Sequence, residues 1–348
     1  MTKNPGLLRD YFLDEVEIRH CPRGPEYGED FLYSDFGRPT LHLQAVFDGC
    51  GGAGGWTYRE FQNHTGAYIA ARSLAGTRAG VGNWFAAQST ATCADEQALA
   101  RSYQAHARDW LLTLKESCAP MALTGSLVKS FPSTADFALM QLTGDLEIDL
   151  TVLHCGDSRV YALTPGQGLV QLTDDDSRGH PDPLTSLRLS APLSDMLNAD
   201  KPFRIKPVRT RLPMPCAVLC ATDGVFGYVR SPMDFEHLLL ETLAQSDGPD
   251  GFARALETAV TAVSGDDAAL VLSFYGPDAP REAADRSTRR RLLAERGVWA
   301  ALQRQMEPRR RLVDGLIRTI DGAPDAEEAL QRIWADYRRE TIFSERQG

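Results

Sequence analysis

Apolar and polar positions change their rhythm four times along the 348-residue chain. The run "LHLQAVF", 41–47, alternates like a buried strand and stops at Asp48. Helical spacing follows over 58–75, "YREFQNHTGAYIAARSLA", and over 94–117, "ADEQALARSYQAHARDWLLTLKES", with the Gly-rich loop "GTRAGVGNW" between them. Short strand-like runs then succeed one another: "TGSLVKSF", "FALMQLTG", "EIDLTVLHCG", "RVYALTP" and "LVQLT". Gly, Pro and Asp break them at the spacing of an antiparallel meander. Residues 174–206 carry little periodicity and read as a surface loop or flap. "PCAVLCATDG" restores an apolar strand, followed by two amphipathic helices, "DFEHLLLETLAQ" and "DGFARALETAVTAVS", and a last strand, "AALVLSFYG". Past residue 280 the pattern is helical throughout. The reading divides the chain into an N-terminal segment 1–19, a body 20–277 and a helical extension 281–348, without internal repeats.

Composition alters this picture little. A hydrophobic fraction of 43% suits a globular protein, and the net charge of −10 argues against long-range attraction to nucleic acid or an anionic membrane. The extension differs: fifteen arginines and twelve acids give it +3 against −13 for the rest. Its acids interleave with its arginines, which makes a nucleic-acid patch the least favoured of three readings, behind a helical cap on the body and a docking surface for a partner protein. The opening residues lack the apolar core of a signal peptide, and no run of eighteen apolar residues occurs, so a cytoplasmic protein is expected. Seven scattered cysteines then read as reduced thiols.

Candidate chemistry begins at "VFDGCGGAGG". Gly49, Gly51 and Gly54 fit the G-x-G-x-x-G of a dinucleotide-binding turn, but no acid stands about 20 residues on and no βαβ unit follows. The alternative is a cation held by Asp48. Asp223 repeats the same Asp-Gly turn in "CATDGVFG". Asp157 closes another strand in "HCGDSR", Asp266 and Asp267 precede the last strand, and Glu29 and Asp30 precede an early apolar run. A single Asp-Gly is an ordinary turn. Five acidic turns abutting five strands would, if they converge, make an all-oxygen site suited to Mg²⁺ or Mn²⁺.

The ordered series "GED", "VFDGCGG", "LTGSLV", "HCGDSRVYAL", "LTDDDS", "LCATDGVFGYV" and "GDDAALVL" resembles the metal-dependent protein phosphatases of the PP2C (PPM) family, bacterial type, over roughly residues 20–275. The resemblance implies an α+β fold, a sandwich of two antiparallel sheets flanked by helices, here carrying the C-terminal helical extension. It implies hydrolysis of phosphoserine and phosphothreonine in a phosphorylated protein substrate, opposing a protein kinase, with two Mn²⁺ or Mg²⁺ ions and in many relatives a third. Asp48 would bridge two ions and the Gly49 carbonyl would bind one. Asp223 and Asp266 would complete one ion, Glu29 or Asp30 would serve the other, and Asp157 would join Asp223 at a third.

Three departures from the family pattern stand out. Cys50 replaces a His that serves the leaving-group side; Arg23 is the nearest candidate for the phosphate-binding Arg but lies two positions early; Asp267 and Ala269 stand where Asn and Thr are usual. They support an alternative reading, a PP2C-like pseudophosphatase acting as a regulatory binding module. A cysteine-phosphatase loop is excluded at Cys155, because three residues rather than five separate it from Arg159. His180 on the flap reads as a solvated loop residue.

Overall fold

The computed structural model describes residues 7–76, 78–88, 95–119, 128–144, 146–179, 182–188, 191–283 and 285–343. His180 and most of "LTGSLV" lie outside them. The strands are β1 (Phe12–His20), β2 (Phe31–Arg38), β3 (Leu41–Phe47), β4 (Thr57–Tyr58), β5 (His64–Thr65), β6 (Ala135–Leu142), β7 (Glu147–Cys155), β8 (Arg159–Thr164), β9 (Gly168–Gln171), β10 (Lys206–Pro213), β11 (Cys216–Ala221) and β12 (Ala268–Tyr275). The helices are α1 (Gly51–Gly54), α2 (Gly66–Leu74), α3 (Val81–Ala87), α4 (Glu96–Glu116), α5 (Pro183–Ser186), α6 (Asp223–Phe226), α7 (Pro232–Gln245), α8 (Pro249–Val263), α9 (Arg286–Glu295), α10 (Val298–Asp321) and α11 (Ala326–Thr341).

Two five-stranded antiparallel sheets, β1-β12-β11-β8-β9 and β10-β7-β6-β3-β2, stack face to face. Val46, Ala138 and Val152 from one meet Val160, Val218 and Val271 from the other. The outer face of the second sheet, with Leu43, Phe47 and Phe137, packs on Tyr68, Tyr103 and Leu111 from α2 and α4. The outer face of the first, with Leu219, Leu270 and Phe274, packs on Leu239, Phe252 and Trp299 from α7, α8 and α10. Covering both faces of a sheet explains why β3 and β12 are buried at every residue and read as unbroken apolar runs. The helix-sheet-sheet-helix order expected from the sequence is the observed one.

A polar seam crosses the sandwich. Glu15 on β1 accepts hydrogen bonds from Ser34 on β2 (2.5 Å) and Ser273 on β12 (2.9 Å), and the single Ser273 proton is shared with Gln44 Oε1 on β3 (2.8 Å). Burial alone would raise the Glu15 carboxyl, but His42 and the two hydroxyls outweigh it and hold it at about 2.

Local expectations need correction in six places. The helix expected over 58–75 begins only at Gly66: Gln62 and Asn63 take positive φ (57° and 62°), closing the β4–β5 hairpin, and Thr65 caps α2 by accepting from Tyr68 N. The Gly-rich loop holds α3, which buries Val81, Trp84 and Phe85 on one face. The described part of "TGSLVKSF", 128–131, is irregular. The presumed surface flap is partly interior, since Leu197, Ala199, Phe203 and Ile205 are buried in the core beside α4. Strand β10 was hidden behind it, and β1, assigned to a segment outside the body, pairs along its length with β12.

The extension shares the body's core through Leu293, Trp299, Leu302, Met306 and Val313, so the packed cap is the reading the structure supports. At its centre Arg309 donates to both carboxylate oxygens of Glu236 on α7 (2.7 and 2.9 Å), with both side chains almost fully buried and Tyr337 of α11 on the same carboxylate. Removing one member of a buried pair strands the other's charge, at about 3–5 kcal/mol. Arg309→Ala is therefore expected to lower the unfolding free energy measured by urea titration by that much. A loss below about 1 kcal/mol would show that the extension is docked by apolar contact alone.

Candidate functional site

Strand register decides which loops meet. Phe31 opens β2 opposite Phe47 at the close of β3, Asp136 near the start of β6 lies opposite Val46, and Ala221 closes β11 opposite Leu270 near the start of β12. His20 at the end of β1 pairs with Ala268. The turns carrying Glu29, Asp30, Asp48, Asp157, Asp223, Asp266 and Asp267 therefore emerge at one end of the sandwich.

Glycine permits the close approach there. A Cβ on Gly49 would sit 2.8 Å from the Ala67 carbonyl and 2.9 Å from that of Glu29, and one on Gly224 would sit 1.8 Å from the Asp267 carbonyl. Neither turn uses left-handed φ; the demand is for space. Hydrogen bonds then fix the loops. Gly49 N donates to Glu29 O (3.1 Å), Thr134 N to Asp48 O (2.8 Å), and Glu29 N to Asp267 Oδ2 (2.7 Å). Arg19 holds the 28–30 loop by donating to Gly28 O and Asp30 O.

The carboxylates do not share one environment. Asp30 is buried, and burial followed by the charges of Asp223 and Asp267 raises its pKa well above the ordinary range despite a hydrogen bond from Thr222. Asp48 is raised likewise by burial, then by Asp30, Asp223 and Asp157. Burial with Asp223 and Asp175 puts Asp157 at about 8, and burial with Asp266 puts Asp223 at about 6. Glu29 is turned aside to the Thr65 hydroxyl, and its pKa is raised by burial. Asp30 thus interacts with Asp48 and Asp223, whereas the Glu29 carboxylate is hydrogen-bonded to Thr65. Asp266 is exposed, while its neighbour Asp267 is buried against Glu29 and lies 3.6 Å from Arg23. Arg23, two-thirds exposed, does stand at the edge of the acidic group despite its early position.

Asp157, Asp223 and Asp266 line one cleft of ≈ 330 Å³ with Arg159 and Tyr228 at its wall. Cys50 lines a different groove, and burial with the nearby Asp48 pushes its thiol pKa up, so it is not a reactive thiolate. Cys155 is fully buried and equally unreactive.

Arg159 was seen only as part of a motif, and its role emerges from packing. Fully buried, it grips Asp175 with two hydrogen bonds (2.8 and 2.7 Å), donates to Ser186 on α5 and lies 4.4 Å over the Phe226 ring beside Asp223. One guanidinium thus ties the Asp157 turn, the root of the flap and the Asp223 turn together. Next to it, His154 places Nδ1 2.7 Å from Asp136 and Nε2 2.7 Å from Asp174 O. Both partners only accept, so the ring is an imidazolium; burial opposes this, and Asp136 overrides it to about 9. No sequence spacing announces either contact.

Among the described residues no set of three or more His, Cys, Asp or Glu side chains stands close enough to hold an ion as placed. The chemistry of the group nevertheless fits a hard cation. Asp30 Oδ2, Asp157 Oδ1 and Asp267 Oδ1 are buried without a hydrogen-bond partner, and all donors are carboxylate oxygens.

A family model described as protein phosphatase 2C matches residues 28–261. The chain is similar in structure to the serine/threonine phosphatase Stp1 from Staphylococcus aureus, with 16% identity, TM-score 0.58, and coverage of 79% of this chain and 98% of that one. It is also similar to a serine/threonine phosphatase of S. agalactiae (16%, TM-score 0.55, 76% and 99%). A third is the catalytic domain of the serine/threonine phosphatase PstP in complex with two manganese ions (16%, TM-score 0.50, 76% and 99%). No curated protein matches.

The raised carboxyls fix a pH dependence. Asp157 and Asp223 hold protons in the folded, cation-free state up to about pH 8 and 6, whereas the unfolded chain releases them near 3.8. The folded state binds more protons in that window, so stability falls as pH rises through it. Urea midpoints in EDTA are expected to be lower at pH 8 than at pH 5, with Asp157→Asn flattening the slope. A midpoint that rises with pH would contradict the crowding described.

Proposed function

The chain belongs to the protein phosphatase 2C family, and from that premise we propose that it removes phosphate from phosphoserine and phosphothreonine of a protein substrate with Mn²⁺ or Mg²⁺. The observation that supports this reading is the convergence of acids from five separate strand ends, three of them with buried, partnerless oxygens. Asp30, Asp48, Asp223 and Asp157, with the exposed Asp266, are the residues that would hold two ions, with the Gly49 carbonyl, and Asp157 with Asp223 would serve a third. When bound, such ions supply Lewis acidity and offset the charge of a phosphate dianion.

The chain's own residues divide the remaining work. Arg23 reaches over the edge of the group on an exposed side chain, placed to take a phosphate oxygen. Its tie to Asp267 is long, so the guanidinium is available to turn toward substrate. Arg159 keeps the Asp157 and Asp223 turns in register with the flap. Tyr228, half-exposed at the cleft mouth, offers a ring to the substrate chain. Cys50 stays a neutral thiol and serves no base; the leaving-group oxygen takes its proton from water.

Among the described residues no helix is long and apolar enough to cross a membrane. The cytoplasm is the compartment we propose for the protein.

Hydrolysis of p-nitrophenyl phosphate and a phosphothreonine peptide is expected with Mn²⁺ and not with EDTA. Asp48→Asn should lower turnover by at least about 100-fold. Arg23→Gln should raise KM more than it lowers kcat. Folded protein that binds Mn²⁺ without turning over either substrate would favour the regulatory module instead.

A further inference from the structure

Strand β1 and helix α9 enclose a second charged cleft, of ≈ 170 Å³, lined by Arg9, Arg286 and Arg289 and by Asp14, Glu15 and Asp285. Its formal charges balance, but the hydrogen bonds do not pair them. Asp14 belongs to Arg290, at 2.7 Å, with Arg286 at 3.6 Å. Glu15 faces the polar seam and is taken by Ser34, Ser273 and His42. Asp285 caps α9, accepting from Thr288 N and Thr288 Oγ1 at 2.8 Å each. Glu15 and Asp285 are therefore engaged outside the cleft's own arginines, while Asp14 is held through Oδ2 and its Oδ1 is buried without a hydrogen-bond partner.

The arginines are left over. Arg289 is only 8% exposed, yet among the described residues its sole hydrogen bond is to the Phe12 carbonyl (3.0 Å), with its guanidinium 4.9 Å from the Phe12 ring. None of its nitrogens is sealed away from solvent without a partner, so its unused donors open on the cleft. Arg9 makes no side-chain hydrogen bond or ion pair among the described residues, and Arg286 is half-exposed. Two guanidiniums thus stand together with no carboxylate hydrogen-bonded to either among the described residues. Burial and then the charge of Arg9 lower the pKa of Arg289, outweighing the opposing charge of Asp14.

We propose that this cleft binds one tetrahedral oxyanion of the phosphate class, held between Arg9, Arg289 and Arg286. Guanidiniums offer paired donors matched to such an anion, and the volume equals about five or six waters, room for one phosphate group and little more. The site is separate from the acidic end of the sandwich. Phe12 lies against Tyr275 and His20 against Ala268, so eight steps of β1 at about 3.3 Å each, roughly 26 Å, divide them. An anion here would join β1 to the first helix of the extension and strengthen its docking.

The test titrates the full chain with inorganic phosphate, and separately with a phosphoserine peptide, by calorimetry and thermal melting in EDTA. Phosphate is expected to bind and raise Tm, with Arg9→Gln and Arg289→Lys each weakening binding tenfold or more and Asp48→Asn leaving it unchanged. Arg9 is exposed, so its variant reports binding free of any folding defect. Tighter binding of the peptide would identify a phosphoryl group on a chain as the ligand; tighter binding of phosphate would identify the free anion. No heat and no rise in Tm with either probe, or binding by both arginine variants as tight as wild type, would overturn the proposal.

Discussion

Mutual repulsion among buried carboxylates is the constraint around which this fold is arranged. On top of the cost of burial, the charge of Asp223 raises the pKa of Asp30, Asp48 and Asp157, Asp266 raises that of Asp223, and the four acids sit on different strand ends. Nothing local to any one turn would keep them together. The two-sheet core does so, because strands buried on both faces cannot slip register without exposing an apolar set. The acidic end is thus strained by charge and held by packing elsewhere, which is the usual relation between a functional centre and its scaffold.

Three devices carry that hold outward. The Glu15 seam stitches β1, β2, β3 and β12 across the sandwich. Arg159 joins the Asp157 and Asp223 turns to the flap root. Arg309 and Glu236 anchor the extension beneath β9, where the Leu169 amide also donates to Glu236. Each is a buried charge with nearly all of its hydrogen bonds made, the condition under which such groups fix geometry rather than loosen it. The extension therefore belongs to the same cooperative body as the sheets.

Much of this was legible in the sequence, because strand ends announce themselves. Asp48, Asp157 and Asp223 each follow an apolar run, and apolar runs in a two-sheet sandwich stop at its ends. The misses share one cause, local pattern overridden by tertiary contact. Helical spacing over 58–65 gave way to a hairpin turned by two left-handed residues. Gly80 and Gly82 masked α3, although Val81, Trp84 and Phe85 carry its spacing. No element was read over 207–213, where Arg209 and Arg211 interrupt the apolar pattern of edge strand β10, yet Arg209 pairs with Asp149 across the ladder. Asp267, marked by the resemblance only as a departure from the family pattern, is the buried member of its pair, and Asp266 is exposed. Asp175 and Ser186 on Arg159, and Asp136 on His154, lie 16 to 27 residues away in sequence with no fixed offset to betray them.

The central claim is that these carboxylates form a cation centre, and anomalous diffraction tests it most directly. Crystals grown with Mn²⁺ and measured at the manganese edge should show ordered ions among Asp30, Asp48 and Asp223. Anomalous density absent from that end of the sandwich in well-ordered crystals saturated with Mn²⁺, or confined to other acids, would contradict the account.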